Sequence, residues 1–147
     1  MLSTVDGLAQ LSFVVMGLLE RRAAEHDVSI VQTRLLGVLR DRRPTMQELA
    51  RLLGLDKSSV TGLVDRAQRR GFVERTPSPD DGRSVLVGLT DAGRALASEV
   101  ETRFGEDVAV LVGGLPKADR EALTGIVTRV LVDHAADHGI DLLKTTN

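Results

Sequence analysis

Apolar residues in the first part of the chain recur at three- and four-residue spacing. Leu8, Leu11, Val15, Leu18 and Leu19 form a stripe that predicts an amphipathic helix over roughly 5–25. A second helix is predicted from Ser29, where Ser29 and Gln32 have capping-box spacing, through Leu35, Leu36, Val38 and Leu39 to a stop near Pro44. Thr45-Met46-Gln47-Glu48 is a fuller capping box, because the hydroxyl and the carboxylate can each satisfy a backbone N–H that a helix start leaves open. The short helix it opens ends at Gly54. Asp56 can cap a fourth helix, whose Val60, Leu63, Val64 and Ala67 follow the i, i+3, i+4, i+7 pattern until Gly71 closes it.

Beyond Gly71 the pattern becomes strand-like. Residues 72–76 and 84–89 read as two strands joined by the turn-rich stretch 77–83, a hairpin with a long tip. Thr90-Asp91 caps a fifth helix carrying Ala92, Leu96, Val100, Phe104 and Val108, broken by Gly113-Gly114. Pro116 suits the first turn of a sixth helix with Leu123, Ile126, Val127, Val130 and Leu131, and a polar tail follows about Gly139. Four helices, a hairpin and two helices make a mainly α chain with a small β-hairpin, and a hairpin directly after the fourth helix is the order of a winged helix.

A length of 147 residues fits one domain, 1–147. No run of about 18 apolar residues exists to span a bilayer. Asp6 precedes the first apolar run, with no basic start or small-residue cleavage site, so no signal peptide is read and a cytoplasmic location is expected. The absence of cysteine excludes disulfides, thiolate zinc sites and a thiol redox sensor. The only aromatics of the Phe, Tyr and Trp type are Phe13, Phe72 and Phe104, too few for a base-stacking platform, so any nucleic acid bound is expected to be duplex. The net charge of −2 is unevenly spread: residues 34–94 carry 12 Lys/Arg against 8 Asp/Glu, whereas the remainder carries 7 against 13. A basic middle between acidic ends provides the local cationic surface that phosphate neutralisation requires.

Helices three and four then read as a helix-turn-helix: 45–53, the Gly54-Leu55 turn, and 56–70. Thr45 and Gln47 stand at its N-terminal cap. With Val60, Leu63, Val64 and Ala67 inward, the residues facing out are Lys57, Ser58, Ser59, Thr61 and Gly62, small groups suited to base edges, with Gly62 allowing close backbone approach. Arg66, Arg69 and Arg70 have the reach and charge for flanking phosphates. At the hairpin tip, Asp81-Gly82-Arg83 exposes an arginine able to enter a narrow minor groove. Asp81 is preferred as the group that orients Arg83, the alternative being an Asx-type turn that accepts backbone N–H groups.

These residues resemble the MarR regulators. The likeness lies in Leu49-Ala50-Arg51-Leu52-Leu53-Gly54, Ser58-Ser59-Val60-Thr61, Leu63-Val64-Asp65, Arg70-Gly71-Phe72-Val73-Glu74-Arg75, and the wing from Pro79 to Val87 running into Leu89-Thr90-Asp91-Ala92-Gly93. Gly82 departs from the family pattern, which usually has arginine there. The resemblance implies a six-helix winged helix-turn-helix in an intertwined homodimer, with a DNA reader over 30–89 and a helical dimerisation region formed by 1–29 and 90–147. Two such readers would meet a pseudo-palindromic operator, as expected of a transcriptional regulator and more specifically a repressor. Leu8, Leu11, Val15, Leu123, Ile126, Val127, Val130 and Leu131 are the interface candidates, since so small a monomer offers their stripes little to pack against.

Members of the family usually release DNA when a small phenolic or lipophilic effector enters a cleft between dimer and reader regions, and no particular effector is read here. Phe13 and Phe104 are the rings available outside the reader, which argues against a stacking pocket. His134 and His138, at i, i+4, have zinc-compatible spacing, with Asp133, Asp141 and His26 as completers, but solvated histidines near a helix end are the preferred reading. No Gly-rich phosphate loop or Ser/His/Asp motif stands out, so no cofactor and no enzymatic activity are expected. Two alternatives to an operator-binding repressor stay open: a winged-helix protein-interaction module and a metal-responsive regulator.

Overall fold

A computed structural model describes residues 1–144 and gives the order α1 (Thr4–Ala24), α2 (Ile30–Arg40), α3 (Met46–Leu53), α4 (Lys57–Arg69), β1 (Val73–Pro77), β2 (Val85–Leu89), α5 (Asp91–Leu111) and α6 (Lys117–Asp137). The predicted order is therefore present, with most boundaries moved by a residue or two and α2 ending at Arg40, four residues before Pro44. The last three positions of the polar tail lie outside the described residues.

Five helix starts are fixed by side chains that accept from the backbone N–H three residues on: Ser3 from Asp6, Ser29 from Gln32, Thr45 from Glu48, Asp56 from Ser59 and Thr90 from Gly93. Only Thr45 closes a reciprocal box, its own N–H donating to Glu48 Oε2 at 2.9 Å. Gln47, placed at this cap from the sequence, takes no part, because the returning side chain comes from the third helical position and Gln47 occupies the second. Gln32 likewise does not close the box at Ser29, since its Oε1 has no partner. Pro116 stands one position before α6, as its N-cap, instead of inside the first turn.

The hairpin pairs Val73 with Leu89 through Pro77 with Val85, antiparallel. The segment before α3 adds to it: Val87 donates its N–H to the Pro44 carbonyl at 2.9 Å, and Thr45 bridges Leu86. The start of the helix-turn-helix is thereby tied to the wing. Between α3 and α4, Gly54 takes the left-handed conformation at φ 64°, and the N–H groups of Gly54 and Leu55 return to the Arg51 and Ala50 carbonyls. At the other junction Thr90 donates its hydroxyl to the Gly71 carbonyl, and α5 begins so close beneath Phe72 that a Cβ at Gly93 would run into the Phe72 carbonyl.

One core joins the reader to the inner ends of the flanking helices, running from Ala23 and Val28 through Leu35, Leu39, Leu49, Leu63, Val64 and Val87 to Leu96 and Val100. Arg22 locks α1 to α5 with a two-pronged pair to Asp107, at 2.7 and 2.8 Å. That guanidinium holds the Asp107 carboxyl below the usual carboxylate range. α6, like α1, has a single buried residue, Ala135.

Candidate nucleic-acid interface

α4 is held by its apolar side. Val60, Leu63, Val64 and Ala67 are buried, so the opposite face is presented to solvent with the register the spacing predicts. Lys57, Ser58, Ser59, Arg66 and Arg69 are exposed, while Thr61 and Gly62 are half-buried. The three hydroxyls are already engaged. Ser58 and Ser59 donate to the two Asp56 carboxylate oxygens at 2.9 and 3.1 Å, and Thr61 donates to the Lys57 carbonyl at 2.8 Å. The Ser59 N–H, followed by these two serine hydroxyls, draws the Asp56 carboxyl below its ordinary range, so it is a stable anion at the helix start. With their protons committed, Ser58, Ser59 and Thr61 offer lone pairs outward and suit donor groups on base edges.

Gly62 bears on Arg66. A Cβ there would lie 3.2 Å from Arg66 Nη1, so the missing side chain lets that guanidinium lie back along the helix.

Arg70 has a different destination from the one its sequence position suggests. Its guanidinium donates to the Asp27 carbonyl at 2.6 Å and to the His26 carbonyl at 3.1 Å, and it stacks 4.9 Å from the Phe72 ring centroid. This cation fastens the turn after α1 to the end of α4, and it leaves the outward set.

At the wing tip Asp81 makes the Asx-type turn, the alternative to the preferred reading. Its Oδ1 accepts from the Arg83 N–H at 3.0 Å and its Oδ2 from the Ser84 hydroxyl at 3.1 Å. The carboxylate shapes backbone here and does not hold the Arg83 guanidinium, because two nearby local donors already occupy its oxygens. Gly82 and Arg83 are exposed, and Arg83's side chain makes no hydrogen bond or ion pair among the described residues. At the base of the wing, Arg75 pairs with Asp65 at 2.7 Å and also donates to Gln68, linking β1 to α4.

Sorting the reader's cations by partner separates two sets. Arg34 donates to Leu53 O, Arg40 pairs with Glu101, Arg42 reaches the carbonyls of Asp141 and Leu142, Arg43 pairs with Glu74, and Arg70 and Arg75 are engaged as described. Arg51, Lys57, Arg66, Arg69 and Arg83 have no partner among the described residues, and all five lie on α3, α4 or the wing. Sequence reasoning does not single out Arg51; the available signal is a single exposed cation inside the otherwise apolar Leu49-to-Leu53 run.

The interface candidates divide by exposure. Leu8 is 62% exposed and Val130 61%; Leu11, Ile126, Val127 and Leu131 are also exposed, while Val15 and Leu123 are half-buried. Beside them a cleft of about 1040 Å³ opens between α1, α2, α5 and α6, lined by Leu19, Val38, Val100, Phe104, Leu131 and Ile140 among others. Phe13 is outside it, pointing to solvent, and the rings that join Phe104 there are His134 and His138. Those histidine rings lie with centroids 4.5 Å apart and tilted by 46°, and His138 Nδ1 lies 2.8 Å from the His134 carbonyl. No group of three or more potential metal ligands comes together among the described residues. His26 faces Glu99 at 3.8 Å instead, so the completers named from the sequence are not gathered. Among the described residues no helix is long and apolar enough to cross a membrane.

A family model described as MarR family matches residues 26–84. The transcriptional repressor NicR of Pseudomonas putida is 27% identical over 113 residues, 76% of this chain and 72% of that protein. The multiple antibiotic resistance protein MarR of Escherichia coli is 39% identical over 64 residues, but that stretch spans only 44% of each chain. The crystal structure of wild-type Escherichia coli MarR superimposes with a TM-score of 0.73 at 27% identity, covering 89% of this chain and 98% of that one. A Staphylococcus aureus MepR variant bound to an oligodeoxyribonucleotide shares the fold, with a TM-score of 0.63 at 20% identity over 90% of this chain and 99% of the other.

Proposed function

We propose that this chain is a member of the MarR family and a transcriptional repressor that binds a pseudo-palindromic duplex as a homodimer. The observation that carries the reading is the sorting of cations. Arg51, Lys57, Arg66, Arg69 and Arg83 are free on the helix-turn-helix and wing, while the reader's other cations are bound into the protein. Free guanidinium and ammonium groups on one reader are what duplex phosphates neutralise, with release of counterions. In this reading Lys57, Ser58, Ser59, Thr61 and Gly62 meet base edges, Arg66 and Arg69 meet phosphates, and Arg83 reaches the minor groove.

The reader covers residues 30–89, and the dimer is made by 1–29 and 90–147. Support comes from the apolar stripes of α1 and α6, which a single chain leaves in water at Leu8, Leu11, Ile126, Val127, Val130 and Leu131. A second copy covers both stripes and supplies the second reader. The mainly apolar cleft beside them is the site for a small-molecule effector, and its position between the arms and the reader gives such a molecule leverage on reader spacing. The non-enzymatic, cytoplasmic character expected from the sequence fits this role.

The test is selection of preferred duplexes from a random pool with the full chain. A repressor of this kind enriches one two-fold symmetric motif with half-sites about one helical turn apart. A pool that stays random after repeated rounds removes the reading in favour of a protein-interaction module.

A further inference from the structure

A hairpin of two strands has little stability of its own in water, so the direction of the wing depends on what grips its base. Side chains alternate between the two faces of such a ribbon. Val73, Val87 and Leu89 point into the core, and Arg75 on the same face pairs with Asp65 of α4. Glu74 and Gly88 are cross-strand partners and share the outer face.

Gly88 leaves a gap on that face, and Arg43 fills it. A Cβ at Gly88 would lie 2.6 Å from Arg43 Nε and 2.7 Å from Nη2, so the guanidinium lies directly on the strand. Arg43 Nη2 also donates to Glu74 Oε1 at 3.1 Å, which carries the contact across to β1. Gly88 is thereby buried although Arg43 and Glu74 are exposed. The side chain reaches out from an anchored segment: Arg43 precedes Pro44, whose ring disfavours helical backbone at the residue before it, and the Pro44 carbonyl accepts from Val87 of the same strand. An exposed ion pair alone adds little stability. What this one supplies is direction, because it joins both strands to the segment that opens α3. Arg83 stands beyond the strand end at Val85, so a small tilt at the base is magnified at the tip.

We propose that Arg43 is a positioning residue for the wing: packed over Gly88 and paired with Glu74, it sets the direction in which the hairpin presents Arg83. The inference rests on the DNA reading above for its effect on affinity, but not for the wing geometry itself. The rival role for an exposed arginine beside a DNA reader is direct contact with a phosphate, and the two roles differ in what Gly88 and Glu74 contribute.

The test uses the full chain with Arg43→Gln, Glu74→Gln or Gly88→Ala. Gly88→Ala pushes the guanidinium off the strand while keeping every charge, and Glu74→Gln removes only an anion. Positioning predicts that all three weaken binding of the selected duplex by about fivefold, and that none weakens it further in an Arg83→Ala background. A loss in Arg43→Gln alone is the signature of a phosphate contact and overturns the proposal, as does a loss that adds to that of Arg83→Ala, or no loss at all. Glu74 is exposed, so Glu74→Gln decides the matter even if Gly88→Ala fails to fold. The second arm needs no DNA. The chain has no cysteine, so Gln47→Cys with Gly82→Cys takes two nitroxide labels, one on the exposed side of α3 and one at the tip, where a Cβ meets nothing within 4 Å. Pulsed spin resonance, with labelled chain diluted in unlabelled chain, is expected to give a narrow distance distribution that shifts or broadens in each of the three variants. An unchanged distribution overturns the proposal. If no duplex is selected, the DNA reading fails while the distances still decide whether Arg43 directs the wing.

Discussion

The reader and the helical arms use the same kind of amphipathic helix to different ends. In the reader, α2, α3 and α4 bury their stripes in the chain's own core: Leu35, Leu49 and Val64 are fully enclosed. In the arms, α1 buries only Ala23 and α6 only Ala135, although both are 21 residues long. A stripe with an inward partner specifies a fold, and one without specifies an association. The helices of the proposed reader thus find their partners within one chain, whereas α1 and α6 leave their stripes open, as the proposed dimer requires.

The largest expected effect is on the arms. Ile126→Glu with Val130→Glu places two carboxylates in the exposed stripe of α6, and sedimentation is expected to show a folded monomer. Operator affinity then falls by about a thousandfold, because linking two readers multiplies affinity by roughly 10²–10⁴. An intact dimer in that variant would put the interface elsewhere.

In the reader the corresponding change acts on stability. Leu35 is fully buried, and Leu35→Ala is expected to cost about 2–5 kcal/mol in denaturant melts while leaving association of the remaining folded chain unchanged. A loss well under 1 kcal/mol would show that the reader's core is not the enclosed one described.

Smaller is Arg83→Ala, expected to weaken operator binding about tenfold with dimer and Tm unaltered, since the side chain has no partner within the protein to lose. Binding curves with fluorescent duplex check it, and unaltered affinity removes the wing tip from the DNA interface.

The smallest concerns the seam between α1 and α5, inside the arm region. Arg22 keeps the Asp107 carboxyl below its ordinary range, so this pair contributes stability above the unfolded aspartate value of about 3.9 and loses it as pH falls through the lower, folded value. Asp107→Asn is therefore expected to lower Tm slightly at neutral pH and to close the gap to wild type in acid. A gap that persists once the carboxyl is protonated would assign the effect to packing.

Much of this architecture is legible along the chain because its determinants are local. Ser29, Thr45, Asp56 and Thr90 cap helices through bonds to residues three places on, and a spacing reveals them. The side chains whose destination is distant are not readable that way. Arg70 meets carbonyls 43 and 44 residues back, Arg34 caps the end of α3 at Leu53, and Gly93 is small because Phe72 passes over it. Charge and reach alone make Arg70 look like a phosphate ligand. Asp81 shows a local limit: one carboxylate has two satisfying arrangements in a tight turn, and the backbone donors, being nearer and already ordered, take it. The core face of α4 is readable from periodicity, but which hydroxyls on its open face keep a free proton depends on Asp56 and Lys57 together.

Free cations on α4 and the wing, doubled by symmetry, are proposed to carry duplex binding. A salt titration of the selected duplex, with stoichiometry measured in the same samples, tests it most directly. Two chains per duplex are expected, with a steep linear fall of log affinity with log salt, which Lys57→Ala or Arg69→Ala makes shallower by about one unit for each phosphate that the dimer no longer neutralises. One chain per duplex, or an affinity that salt leaves nearly unchanged, would contradict it.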